Sequence, residues 1–583
     1  MTRVDAQTPR RLLIASDQLD ADMKRIRESR VAHHLYLDPA GAPFLITDQI
    51  IVSYSAPPTD SQLQPLLERY ALSVVKRLGD RELILRLSDE TGMNPVKLVV
   101  ALSEALPEGV RLVEHNLEHL ARRHEEESAE PLYPRQWHLH RESDHPDVDP
   151  RSSARCDGAW ELLRGGGSEE IVVCVLDDGC ALDHEDFNGP SKFAAWGYFD
   201  GDVHGGHVFD KRFIHSELEG ADPARMHEEG QNHGTACCGV IGAERDGELT
   251  LGAAYGCRLL PIKVLSQGPY LYFDDGDLLE VLDYIADKVD VMSNSWGSSP
   301  SRLFAAQVIE RLDRLSVSGG PRGQGILFLW AAGNENCLLN YEAEQPVPYT
   351  HGWQPGMGGA KWVGVETRRV FQNNLAEHPG VLHVAALAST AQRAHYSNYG
   401  PGIDLCAASS NAHAYYRMKV PGLGITTVEG DTTEGITHSF GGTSSATPLV
   451  AAVAALTLSA DPSLSAVELR QILLDSANRD LNLSPYAKTP PADFDDEPSW
   501  DVSPIAPFDR GDFNQDGWSP WFGYGSVDAT AAVRRALDRV GELRVSETAK
   551  RTPAVAAQHR EAASSPPQSL IARIGAGLRR LFG

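Results

Sequence analysis

Apolar and polar positions fall into two regimes along this chain. Between Thr47 and Val113, short apolar runs at residues 50–54, 72–78, 83–87 and 110–113 have the density and length of strands. Two stretches of helical spacing separate them: residues 60–70, where Leu63, Leu66 and Leu67 share a face, and residues 94–106. The resulting β-α-β-β-α-β order predicts a small split βαβ domain. The pattern then changes. Near-continuous apolar runs at residues 171–176, 259–265, 289–293, 326–331 and 381–387 alternate with amphipathic stretches such as 277–288 and 302–315. Strands without polar alternation are buried on both faces, so an α/β fold is expected, a mostly parallel sheet covered by helices on each side. Ligands of such sheets bind beyond the carboxyl ends of the strands.

The ends of the chain differ from both regimes. Residues 1–45 combine an Arg-rich start, a charged helical stretch at 17–29 and a turn signal at Asp38-Pro39-Ala40-Gly41. Arg122-Arg123, followed by Glu125-Glu126-Glu127, reads either as a maturation cut or as a solvated charge run. Residues 541–567 are rich in Ala, Ser, Pro and Gln, the composition of a flexible linker. At 100° per residue, Leu570, Ile571, Ile574, Leu578, Leu581 and Phe582 of segment 568–583 share one arc, with three arginines opposite. That is a docking peptide or membrane-surface anchor, or a helix packed on the protein's own surface. Five segments follow: an extension (1–45), a small α+β domain (46–125), a large α/β domain (126–540), the linker and the basic helix.

The 583 residues suffice for one large domain with smaller additions, and 42% apolar residues with ten tryptophans supply its core. A formal net charge of −27 argues against nucleic-acid binding, which needs a basic field. The eight cysteines are scattered, several within apolar runs, and form neither a disulfide framework nor a zinc spacing. No apolar leader follows Met1 and no run reaches membrane-spanning length, so a cytoplasmic location is the expectation.

The chemistry concentrates in Phe440-Gly441-Gly442-Thr443-Ser444-Ser445-Ala446-Thr447-Pro448, which opens a long apolar helical run. Two glycines permit close backbone approach, and Ser444 falls at a helix N-terminus, where developing negative charge is favoured. Taken alone, Ser444 is equally an N-cap. Three further motifs accompany it: Val175-Leu176-Asp177-Asp178-Gly179 and Ala331-Ala332-Gly333-Asn334-Glu335 where strands end, and Asn232-His233-Gly234-Thr235 before an apolar helical stretch. Together they resemble the subtilisin-like serine peptidases, whose triad runs Asp, His, Ser along the chain. The resemblance spans residues 130–535. It implies Asp177, His233 and Ser444 as catalytic triad, Asn334 as oxyanion-hole amide and Ser295-Trp296-Gly297 as the wall that pairs with an extended substrate. The Gln136-Trp137-His138-Leu139 lead-in, Asp177-Asp178-Gly179 and Cys237 are similar to the kexin-like branch, in which Asp178 would face a basic substrate residue. Two departures weaken that likeness: Ser298-Ser299-Pro300-Ser301-Arg302 lacks the acidic residues that confer basic specificity, and no β-sandwich domain follows residue 529.

By the same resemblance, the βαββαβ domain is similar to a propeptide that chaperones and inhibits its enzyme, although an unrelated α+β domain satisfies the pattern equally. Calcium is the expected structural ion, held by Asp186 with Glu130 and Asp246. No cofactor is needed for the chemistry, and the expected partner is a protein or peptide substrate. The activity implied is a serine endopeptidase made as a self-inhibited precursor; the rival is a catalytically silent binding protein of the same fold, delivered by its C-terminal helix.

Overall fold

The computed structural model describes residues 35–37, 43–119, 130–204, 207–268, 270–297, 301–347, 353–354, 361–362, 367–411, 422–484, 505, 508 and 510–551. Most of the N-terminal extension, the Arg122-Arg123 pair and the basic segment 568–583 lie outside these. The chain divides into two compact units at Glu127/Ser128.

In the small unit, β1 (Pro43–Tyr54), α1 (Asp60–Arg69), β2 (Ser73–Leu78), β3 (Glu82–Arg86), α2 (Pro95–Glu104) and β4 (Val110–His119) follow in that order. The antiparallel sheet runs β4-β1-β3-β2, with Leu35–Leu37 added antiparallel to the start of β1. Ile50, Val52, Leu83, Leu85 and Leu98 are fully buried between sheet and helices. Val74, Val75 and Leu112 are exposed.

The large unit is built on eight strands: β5 (Val172–Asp177), β6 (Gly197–His204), β7 (His207–His215), β8 (Arg258–Lys263), β9 (Val291–Asn294), β10 (Leu327–Ala331), β11 (Val381–Leu387) and β12 (Leu405–Ala408). Their order is β12-β11-β10-β9-β5-β8-β6-β7, parallel throughout except for the β6–β7 hairpin. Alternate side chains of β5 divide between two cores, as the period of two requires. Val173 and Val175 join the core under α3 (Cys156–Leu163), α4 (His233–Gly242), α7 (Thr443–Ala460), α8 (Ala466–Ser476) and α9 (Ala529–Arg551). Val172, Cys174 and Leu176 join the opposite one, under α5 (Asp275–Ile285) and α6 (Ala306–Ser318). Helix α7 is apolar and long enough to cross a membrane, but it is buried almost all round as the spine of the first core. All eight cysteines are buried free thiols.

Three elements depart from the sequence reading. The helix expected from residue 302 begins at Ala306; Ser301–Arg302 instead pairs with Gln372 and Asn373 as a short strand. Residues 197–204 and 207–215, where the apolar pattern marks no element, form the β6–β7 hairpin, with Phe199 packed on Phe213. Helix α9 continues to Arg551, through the start of the stretch read as linker.

Candidate active site

Strand β5 is where the sheet changes direction. The chain next builds β6, β7 and β8 on one side of it and then returns to build β9 on the other, which opens a crevice at its carboxyl end. Asp177, the last residue of β5, is buried there. One carboxylate oxygen, Oδ1, accepts from the Asp178 N–H at 2.8 Å and from His233 Nδ1 at 2.8 Å. His233 opens α4, and its ring stands edge-on to Phe440 at 5.6 Å. Asp178, expected to face substrate, accepts from the N–H groups of His233 (3.2 Å) and Gly234 (2.7 Å) and so caps the same helix. Burial opposes charge on the His233 imidazole, but Asp177, with Asp178 behind it, outweighs burial and lifts its pKa to about 9. Burial, then repulsion from Asp177, raises Asp178 to about 6.

Ser444 is the second residue of α7. The turn before it needs Gly442, which has φ +74° and lies against the Asn334 amide, where a Cβ would crowd Nδ2. The Gly442 N–H donates to Tyr396 Oη at 3.0 Å, which holds that turn in place. The Ser444 hydroxyl donates to the Ser295 carbonyl at 3.1 Å, and the Ser295 hydroxyl donates back to the Ser444 carbonyl at 3.0 Å. Asn334 Oδ1 accepts from the Thr443 N–H (2.8 Å) and hydroxyl (3.0 Å), leaving Nδ2 as the donor edge of an oriented amide. One turn along α4 from His233, Cys237 Sγ lies 3.9 Å from Asp177 Oδ2 and 3.7 Å from the Ser444 carbonyl. It bridges Asp177 to the helix that carries Ser444. Asp177, His233 and Cys237 are the acid, imidazole and thiol group that converges among the described residues, but burial pushes the Cys237 thiol well up. A protonated thiol is a poor metal ligand.

Ser295, Trp296 and Gly297 continue from β9. Trp296 Nε1 donates to the Leu176 carbonyl at 3.0 Å, and its ring packs on Phe273 and Trp330. Arg302 and Tyr396 also reach the site, and no catalytic motif in the sequence marks them for it.

The expected calcium ligands gather elsewhere. Asp186, wholly buried, accepts from the N–H groups of Leu249 (3.2 Å) and Thr250 (2.9 Å) and from the Thr250 hydroxyl (2.6 Å). Glu130 Oε1 accepts from the Gly247 N–H at 2.9 Å, while its Oε2 is buried without a partner. Asp246 is exposed and caps its own turn through Glu248. Burial and the two neighbouring aspartates raise Glu130, and burial raises Asp186. An orphaned carboxylate oxygen among mutually repelling acids suits a hard cation.

The chain has clear relatives. It is 26% identical over 540 residues to the calcium-dependent protease of Trichormus variabilis, covering 88% of this chain and 67% of that one. It is 24% identical over 361 residues to neuroendocrine convertase 2 of Caenorhabditis elegans, covering 60% and 46%. Among solved structures it is similar to the Aeromonas sobria serine protease in complex with its chaperone, at 20% identity and a TM-score of 0.49, with 70% and 67% covered. The Subtilase family model matches residues 168–525. With that match across more than half its length, the chain belongs to the subtilase family of serine endopeptidases.

Proposed function

We propose that this endopeptidase cleaves its substrates through an acyl-enzyme formed on Ser444. The observation that carries the reading is the 2.8 Å contact between Asp177 and His233 Nδ1, which fixes the tautomer whose Nε2 accepts a proton. Ser444 Oγ leaves the Ser295 carbonyl, attacks the scissile carbonyl carbon and passes its proton to His233. The imidazolium, stabilised by Asp177, then protonates the departing amine. The Asn334 amide, oriented by Thr443, and the N-terminus of α7 stabilise the oxyanion, a contribution worth about 10²–10³ in turnover per donor. Water then repeats the sequence on the acyl-enzyme. A fluorophosphonate probe tests this: it labels the active chain and fails on Ser444→Ala. If no form is labelled, full-length or trimmed of residues 1–125, the chain is a silent scaffold.

The small βαββαβ unit acts as an internal chaperone and inhibitor, a role that its exposed Val74, Val75 and Leu112 support. Glu130, Asp186 and Asp246 hold calcium, as the name of the Trichormus relative suggests, and the ion supplies charge neutralisation and no catalytic step. Chelation is expected to lower Tm, by about 1 °C per kcal/mol lost in a unit of this size. A melting curve indifferent to chelator removes the ion from the account.

A further inference from the structure

We propose that Arg302 lines the pocket for the substrate side chain just before the scissile bond, so that the enzyme selects Asp or Glu there; this rests on the peptidase reading of Ser444. Two strand ends flank the nucleophile. On one side Ser295 exchanges hydrogen bonds with Ser444, and on the other Asn334 holds Thr443. A residue whose carbonyl carbon meets Ser444 and whose oxygen meets Asn334 sends its own side chain into the gap between those strand ends. The Arg302 guanidinium occupies that gap. Its Nη2 lies where a Cβ on Gly297 would have to be, and Nη1 donates to the Ala331 carbonyl at 3.1 Å.

The placement is built into the fold. Arg302 pairs with Asn373 in its short strand, and its carbonyl accepts from the Asn374 N–H at 3.3 Å. Trp296 and Phe304 stack edge-on beside it. Yet the cation is short of partners: the residue is 6% exposed, and its Nε is buried with no hydrogen bond. Among the described residues no carboxylate forms an ion pair with it. Glu335 attracts it from farther off, and one oxygen of Glu335 already accepts from Asn398 Nδ2 at 2.7 Å. Behind it, His383 is kept neutral by burial and by the guanidinium itself, so that wall offers no anion. A buried cation without a counter-charge is costly, and a carboxylate that docks on its fork removes the cost. Lysine or arginine in the same position would be repelled.

The test uses peptide amides that differ only in this residue, Glu, Gln, Leu, Lys or Gly, with the chain first quantified by fluorophosphonate labelling. The expected kcat/KM for Glu exceeds that for Gln by about 10- to 100-fold, the worth of a charge-assisted hydrogen bond. Arg302→Met should bring the two substrates within about twofold, a ratio read on the same enzyme and so independent of its overall rate, while Arg302→Lys keeps part of the preference. The wild-type ratio decides the matter even if Arg302→Met does not fold. A labelled enzyme that treats Glu no better than Gln overturns the proposal, and so does one that takes Gly best, since the guanidinium would then be a plug. A chain that never labels sinks the peptidase reading and this proposal with it.

Discussion

In the proposed mechanism the protonation state of one imidazole, His233, sets the working pH. His233 must be neutral to accept the Ser444 proton, and its pKa is lifted from 6.5 to about 9 by Asp177 and Asp178 against the pull of burial. Activity belongs to the deprotonated form and is lost as pH falls through that pKa, so the acid limb of kcat/KM should lie alkaline of 6.5. The linked stability runs the other way: the His233–Asp177 pair contributes fully below pH 6.5 and fades as pH rises through about 9. Asp177→Asn should move the limb toward acid and lower kcat by about 10⁴, as loss of the tautomer-fixing carboxylate does elsewhere. An unmoved limb in that variant would show that another group titrates. At this scale Asp177, His233, Ser444 and Asn334 were legible because each sits in a contiguous motif at an element's end. Arg302 was not, because what places it at the site is a pairing with Asn373, 71 positions along the chain and invisible to periodicity.

Strands and helices were legible to the extent that burial is one-sided or complete. The runs that became β5 and β8 to β11 are near-continuously apolar, and their predicted limits fall within about two residues of the observed ones. The βαββαβ order came through as well, although the strand Ser73–Leu78 is exposed along most of its length. What failed was the polar hairpin β6–β7, whose strand character comes from pairing rather than from alternation. The lead-in segment before α3 shows why some motifs carry no chemistry at all. Gln136 Nε2 donates to the carbonyls of Leu251 (2.9 Å) and Thr426 (3.3 Å), and its Oε1 accepts from the Leu251 N–H at 3.0 Å. Trp137 Nε1 adds a bond to the Gly424 carbonyl at 3.0 Å. Gln136→Ala should therefore destabilise by about 1–3 kcal/mol, the cost of stranding buried backbone groups, with kcat little changed. A denaturant melt equal to wild type would show that water replaces the side chain.

For the molecule as a whole, the test of the small unit is its removal. Deleting residues 1–125 should either raise peptidase activity or prevent folding, and behaviour identical to the full chain would exclude a chaperone or inhibitor role. The division of labour within the large unit has a longer consequence. Because Ser444, the proposed nucleophile, heads a rod enclosed by its neighbours along nearly its whole length, mutation has little room to retune how fast bonds are cut. Gly297 and the guanidinium beside it sit on short connecting segments, where a single exchange alters which bonds are cut. Descent with modification can thus explore new diets for this enzyme without wagering the engine that digests them.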